Sequence, residues 1–340
     1  MSIFRKKSGD EKEVFARYEN LKNPKIISID ISDSCNLKCK ICKQWKDKNR
    51  HKKLNLSDIK KLISQLSKYF PGTILEFSGQ EPLLKQNFLF GALDYAKKKN
   101  VRTALSTNGI LIDEEIAKRL VEMNLHHISL SLDGFEGIHN YIRNSRNSYE
   151  KVINALDSLV KYKKELKSET AIAVTTVITN VNFRQLIPLY DFLKDLGVDC
   201  INYNGYVLDN SYFFDPHASY DNEFWVSGKN IPEFKEIIEK LIELKKKNSV
   251  PIITNEVSQL KVMPEYFELK GKFNKGYCLA GYNYFHITNF GEVTVCGKGP
   301  KLNIRSNNLI KIWNSREFSE TRKRVSECNV PCLNNCFDLK

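Results

Sequence analysis

Between Lys25 and about Tyr206, short β-rich runs alternate with amphipathic helical stretches, which restricts this chain to α/β architectures. Candidate strands are Ile26–Ile31, Thr73–Phe77, Arg102–Leu105, His127–Leu132, Ala171–Ile178 and Asp199–Tyr203. In a helix predicted over Ser57–Phe70, Ile59, Leu62, Ile63 and Leu66 share one face. Further helices are predicted over Glu114–Asn124 behind a capping Asp113, over Ser148–Tyr162 behind Ser148, and over Phe183–Leu196 with Gly197 at the C-cap position. Strands joined through helices imply a parallel sheet with right-handed crossovers. Periodicity does not separate an open barrel from a flat doubly wound sheet.

The first predicted strand runs into Cys35, Cys39 and Cys42, in the sequence CNLKCKIC. A C-x3-C-x2-C loop offers one thiolate fewer than a 4Fe–4S cubane has irons, so one iron is left without a protein ligand. A vacant coordination position on a low-potential cluster is a reactive centre. The alternative is structural zinc, which prefers four ligands, usually as paired Cys or Cys/His. The nearest histidine, His51, lies inside a basic run. The spacing fits iron–sulfur better than zinc.

The length of 340 residues suits one large domain plus a smaller one. With 41% hydrophobic and 27% charged residues, the composition is that of a globular protein. No long apolar run is present, so no membrane span is expected. The charged N-terminus lacks a signal core, so a cytoplasmic location is expected. Nine cysteines in short-spaced sets then argue for metal ligation over disulfides. The formal charge is +13, densest over Lys38, Lys40, Lys43, Lys46, Lys48, Arg50, Lys52 and Lys53. That run suits an anionic substrate or an acidic electron donor such as flavodoxin or ferredoxin. Lysine is abundant along the whole chain, as on solvated helix faces, so nucleic acid receives little weight as a partner.

The cysteine spacing resembles the signature of the radical S-adenosylmethionine (radical SAM) enzymes. The resemblance implies a partial (β/α)6 barrel, with SAM chelating the open iron of a 4Fe–4S cluster. One electron then splits SAM into methionine and a 5′-deoxyadenosyl radical that abstracts a substrate hydrogen. The run Phe77-Ser78-Gly79-Gln80-Glu81-Pro82 resembles the family's GGEP motif, with Gln80 replacing a glycine. Gly79 permits close backbone approach, and Glu81 either accepts from the SAM ammonium or fixes the loop. Ser106-Thr107-Asn108-Gly109 resembles the TNG element, although Asn-Gly is also an ordinary turn. Ser129, Ser131 and Asp133 alternate onto one strand face and suit ribose hydroxyls and the SAM carboxylate. His139 to Arg143 resembles an HDxxRG stretch, which makes Arg143 either a carboxylate fork or part of a structural ion pair. Ile41 stands where the family places a residue that packs on adenine, and a buried isoleucine would look the same.

A second cysteine set comprises Cys278, Cys296, Cys328, Cys332 and Cys336, with a hairpin predicted over Tyr284–Thr288 and Val293–Val295. Residues 275–340 resemble the SPASM and twitch domains of radical SAM enzymes. The five cysteines are fewer than a full SPASM domain uses, which implies one auxiliary 4Fe–4S cluster held by Cys278, Cys296 and two of the last three, in the order Cys328, Cys332, Cys336. A zinc ribbon is the alternative. The expected organisation is an extension over 1–24, the barrel over 25–230, a linker over 231–274 and the cluster domain over 275–340. Cys200, on one face with Asn202 and Asn204, is either a small buried hydrophobe or a hydrogen-atom donor to a product radical. The aromatic loop over 207–229 is long enough to be functional. The expected activity is radical modification of a peptide, ahead of oxidation or epimerisation of a sugar or aminocyclitol. A metal-containing nucleic-acid-binding protein is the reading from another class.

Overall fold

The computed structural model describes residues 21–46, 53–208, 220–268, 276–296, 299–326 and 337–339. The first parallel series comprises β1 (Ile26–Ser32), β2 (Ile74–Gly79), β3 (Thr103–Thr107), β4 (His127–Ser131), β5 (Ala171–Ile178), β6 (Cys200–Gly205) and β7 (Ile252–Ile253). Two further strands, β9 (Tyr284–Ile287) and β10 (Val293–Thr294), join beyond β1. The result is a nine-stranded sheet in the order β10-β9-β1-β2-β3-β4-β5-β6-β7. The sheet is mostly parallel and open, with β10 and β7 at its two edges. It belongs to the α/β class that the alternation predicts.

The helices form where the apolar spacing and caps direct them. In α1 (Leu56–Tyr69), Asn55 and Asp58 make a reciprocal capping box, and Ile59, Leu62, Ile63 and Leu66 are buried. After α2 (Gln86–Lys98), α3 (Glu114–Glu122) starts at Asp113, whose carboxylate accepts from Ile116 N at 2.8 Å. Next come α4 (Glu136–Arg143), α5 (Ser148–Glu165) and α6 (Leu186–Leu196), the last ending at Gly197 with φ +91°. Ser148 is not the cap of α5. Asn147 holds that position, and the Ser148 hydroxyl donates to Asn140 Oδ1 at 2.8 Å.

Strand alternation gives the sheet two chemically different faces. Ile27, Ile29, Leu75, Phe77, Leu105, Ile128 and Leu130 are fully buried in the hydrophobic core. Each such side chain contributes about 1.5–3 kcal/mol. The alternate positions face the other way: Ser28, Asp30 and Ser78 bond one another, Ser106 bonds Glu76, and Ser129 bonds Thr175. That polar face is anchored by the Asp30–His286 contact at 2.9 Å between β1 and β9.

The C-terminal part is built into the same sheet. β9 pairs in parallel with β1, placing Ser28 opposite His286. Helix α7 (Ile231–Lys247) leads to β7, which pairs with β6, and α8 (Val257–Glu268) packs on α7. The described part of 231–274 thus extends the α/β alternation. A separate two-stranded sheet joins β8 (Gly276–Cys278) to β11 (Phe337–Leu339). Of the last helices, α9 (Leu309–Trp313) and α10 (Arg316–Ser326), the first sets Trp313 edge-on to Phe70 at 5.9 Å. Among the described residues no helix is long and apolar enough to cross a membrane.

Candidate functional site

At the carboxyl ends of β1–β4 lies a cavity of about 200 Å³. One wall is the cysteine loop, with Cys35, Cys39 and Cys42 together with Trp45. The other carries Gly79 and Gln80 from the end of β2, Ser106 and Asn108 from β3, Ser131 from β4 and Arg143 from α4. Parallel strands carry their loops to one edge, so segments distant in sequence meet here.

Backbone bonds and two apolar anchors hold the cysteine loop. Glu81 N donates to Ser34 O at 3.1 Å, Lys40 N to Ile142 O at 2.9 Å, and the Trp45 indole to Cys39 O at 3.3 Å. Leu37 and Ile41 are buried in the core cluster. The structure therefore places Ile41 in the core, with Trp45 as the aromatic surface in the cavity. Trp45 escaped the sequence reading because it sits among lysines, although an aromatic residue just past a ligand loop was a usable signal. At Gly79, with φ +110°, a Cβ would stand 3.1 Å from the Asp30 side chain and 3.2 Å from Ser32 O. The close passage of β1 beside β2 requires that glycine.

Two buried carboxylates fix the opposite wall. Glu81 Oε1 accepts from Leu83 N at 3.0 Å and from the Thr107 hydroxyl at 2.8 Å, while Oε2 accepts from Asn108 N at 2.9 Å. It is fully buried, and burial raises its pKa while these donors pull it back. Glu81 thus fastens the end of β2 to that of β3. Asp133, also fully buried, accepts from Val177 N at 3.0 Å and from both Nε and Nη2 of Arg143, at 2.7 and 2.6 Å. Its backbone N–H donates to His139 Nδ1 at 3.1 Å, and burial pushes that imidazole down to about 2, which keeps it neutral. Ser78 and Ser129 lie on the polar sheet face, bonded to Ser28 at 2.6 Å and to Thr175 at 2.9 Å. Ser106, which lines the cavity, donates to Glu76 at 2.8 Å and so joins cavity and polar face.

The thiols themselves receive donors. Cys35 Sγ accepts from Leu37 N at 3.4 Å and from Asn108 Nδ2 at 3.7 Å. The Arg143 guanidinium hydrogen-bonds the Cys39 sulfur. Burial raises the pKa of Cys35 and Cys39, so without metal they are neutral thiols, and a metal centre would release their protons. All three are unbridged. Among the described residues no three His, Cys, Asp or Glu side chains gather tightly enough for a single ion. The three thiols line one wall of the cavity. Soft sulfur ligands with N–H donors around a cavity fit a 4Fe–4S cluster.

Cys200 lies outside this cavity, half-buried at the start of β6 opposite Ala173 and Ile252, and burial raises its pKa. Asn202 and Asn204 share its face. Cys278 is buried at the end of β8, and Cys296 follows β10 with φ +49°. Cys328, Cys332 and Cys336 lie outside the described residues. Phe337, the residue after Cys336, is the register partner of Cys278.

An open, mostly parallel sheet with three unbridged thiols at its carboxyl edge is an α/β fold carrying a candidate iron–sulfur site. Residues 29–203 match the model of the Radical SAM superfamily, and the chain belongs to that superfamily. The AdoMet-dependent heme synthase of Methanosarcina barkeri is 22% identical over 91% of this chain and 87% of that protein. The PqqA peptide cyclase of Bradyrhizobium diazoefficiens is 24% identical over 91% of this chain and 78% of that one. Among solved structures, native anSMEcpe with bound AdoMet superposes with a TM-score of 0.68 at 20% identity, covering 93% of each chain. Streptococcus suis SuiB bound to the precursor peptide SuiA gives a TM-score of 0.65 at 18% identity, covering 91% of this chain and 69% of that chain. The chain is thus a radical SAM enzyme whose family uses a 4Fe–4S cluster and SAM, and its relatives are of the SPASM type.

Proposed function

We propose that this enzyme modifies a peptide by radical chemistry, with Cys35, Cys39 and Cys42 as the ligands of the SAM-binding cluster. The observation that carries the peptide reading is the match, over 91% of the chain, to a relative whose name states a peptide substrate. The bound cluster would supply the electron that cleaves SAM. The chain's own residues divide the remaining work. Gly79 lets backbone approach a ligand closely, while Gln80, Asn108 and Ser131 present amide and hydroxyl groups to the cavity. Trp45 offers the aromatic face that Ile41 does not. Arg143, committed to Asp133 and Cys39, acts on the cluster side, and Glu81 and Asp133 position the wall. The exposed Lys38, Lys40, Lys43 and Lys46 surround the thiol loop and suit an acidic flavodoxin or ferredoxin. Cys278 and Cys296 are assigned to one auxiliary cluster. Two of Cys328, Cys332 and Cys336 would complete it. A cytoplasmic location accompanies this reading.

A tetrapyrrole substrate is the second reading, favoured by the heme synthase relative of equal coverage. Reconstituted enzyme with SAM and dithionite separates the two when given, in turn, the peptides encoded beside its gene and iron-coproporphyrin. A mass change in one such peptide, coupled to 5′-deoxyadenosine release, upholds the first reading. Decarboxylation of the porphyrin overturns it.

A further inference from the structure

A second cavity, of about 640 Å³, lies at the opposite end of β1 from the thiols. Its size is that of a small-molecule site. The seven residues of β1, at about 3.3 Å each, put roughly 20 Å between the two cavities. Tyr69 at the end of α1, Tyr282 before β9, and Trp313 and Arg322 from the last two helices form its walls, with Lys22 at the approach to β1. Among the described residues no aspartate or glutamate lines it.

Arg322 is the unusual member. Its Nε donates to Gly281 O at 2.8 Å, and its guanidinium lies 3.9 Å from the ring centre of Trp313, 4.4 Å from that of Phe318 and 5.4 Å from that of Tyr282. Nη2 is buried without a hydrogen-bond partner, and no carboxylate of the described residues pairs with the group. Burial pushes its pKa down to about 10, with only the Tyr282 phenol acting the other way, so the group is still a cation at neutral pH. The backbone makes room for this placement at Gly281, where φ is +85° and a Cβ would stand 3.0 Å from Arg322 Cγ. A half-buried cation held rigidly against aromatic rings, with an unused donor and no counter-charge, is costly unless an anion completes it.

We propose that this cavity binds a carboxylate carried on an aromatic or apolar body. Arg322 takes the carboxylate, Trp313, Tyr282 and Tyr69 flank the body, and Lys22 adds a second positive charge at the rim. A planar guanidinium matches a carboxylate through paired N–H donors, and its fixed orientation limits the entropy lost on binding. The carboxylate has two natural sources, the end of a peptide or a free small acid, and both present the same chemistry. The inference does not depend on the substrate proposed for the thiol cavity.

The test is calorimetric titration of the full-length, cluster-loaded protein with N-acetylphenylalanine, its amide, and triglycyl-phenylalanine. Expected is one-to-one binding in which an acid is at least tenfold tighter than the amide. Arg322→Met should remove that preference, and Arg322→Lys should keep part of it. Binding of the tetrapeptide alone identifies a peptide source, and binding of both acids a small-acid source. Either outcome upholds the site. Equal binding of acid and amide, no binding of any probe, or an acid preference that survives Arg322→Met overturns it. The acid–amide comparison on the unaltered protein needs no variant and is unaffected by any folding defect.

Discussion

Arg143 and Arg322 are both partly or wholly buried arginines at opposite ends of the same sheet, but their surroundings differ in one respect. Arg143 is paired with the fully buried Asp133 and touches a cluster thiol. Burial alone would lower its pKa, but Asp133 and Cys39 hold it above the ordinary value. Arg322 has rings around it and no anion among the described residues, and burial lowers its pKa. At the thiol end the buried cation is therefore balanced by a buried carboxylate. The opposite end holds a cation that no carboxylate of the described residues balances. A wall built from interlocked ion pairs is rigid by construction, whereas an uncompensated cation is a request for a ligand.

The largest expected effect that sharpens this contrast is at the thiol loop. Cys39→Ala should abolish SAM cleavage and leave iron bound only elsewhere in the chain, as read by iron and sulfide assay with 5′-deoxyadenosine detection. Next, Arg143→Met leaves Asp133 buried and unpaired, so a loss of about 3–5 kcal/mol is expected in denaturant unfolding. Arg322→Met gives up the bond to Gly281 O but strands no buried charge, and should cost only about 1 kcal/mol in the same assay. Equal costs would break the comparison. In reconstituted protein that folds, Arg143→Lys weakens the donor to Cys39. The cluster's midpoint potential should then move to more negative values in an EPR-monitored redox titration.

A smaller effect concerns pH. His139 has a folded pKa of about 2 against an ordinary value of 6.5. Below pH 6.5 the unfolded chain takes up a proton that the folded one refuses. Its contribution is therefore absent above pH 6.5 and grows as a penalty of up to about 1.4 kcal/mol for each unit of acidification. His139→Asn should flatten that part of the stability–pH curve, as measured by urea unfolding between pH 7 and pH 5. An unchanged slope would show that the imidazole is not held neutral.

Much of the thiol end was legible because its signals are local. The CNLKCKIC run, the Gly79–Pro82 turn and the Ser106–Gly109 turn each end a strand, and parallel topology then brings strand ends together. Hidden were the partners. Nothing near Glu81 in sequence announces that Thr107 and Asn108 will occupy its oxygens, and the same holds for Asp133 and Val177. The joining of β9 to β1 links residues far apart in the chain, and β7 is two residues long, so neither leaves a periodic pattern. The Arg322 cavity gathers residues from the approach to β1, the end of α1 and the last two helices, and no motif spans them.

The central claim is that the Cys35, Cys39 and Cys42 loop carries a cluster with a position open to SAM. The most direct measurement is the EPR spectrum of anaerobically reconstituted, dithionite-reduced protein before and after SAM is added. A 4Fe–4S signal whose g-values shift on addition, with the shift lost in Cys39→Ala, is the expected result. Zinc in place of iron and sulfide, or a cluster signal indifferent to SAM, would contradict it.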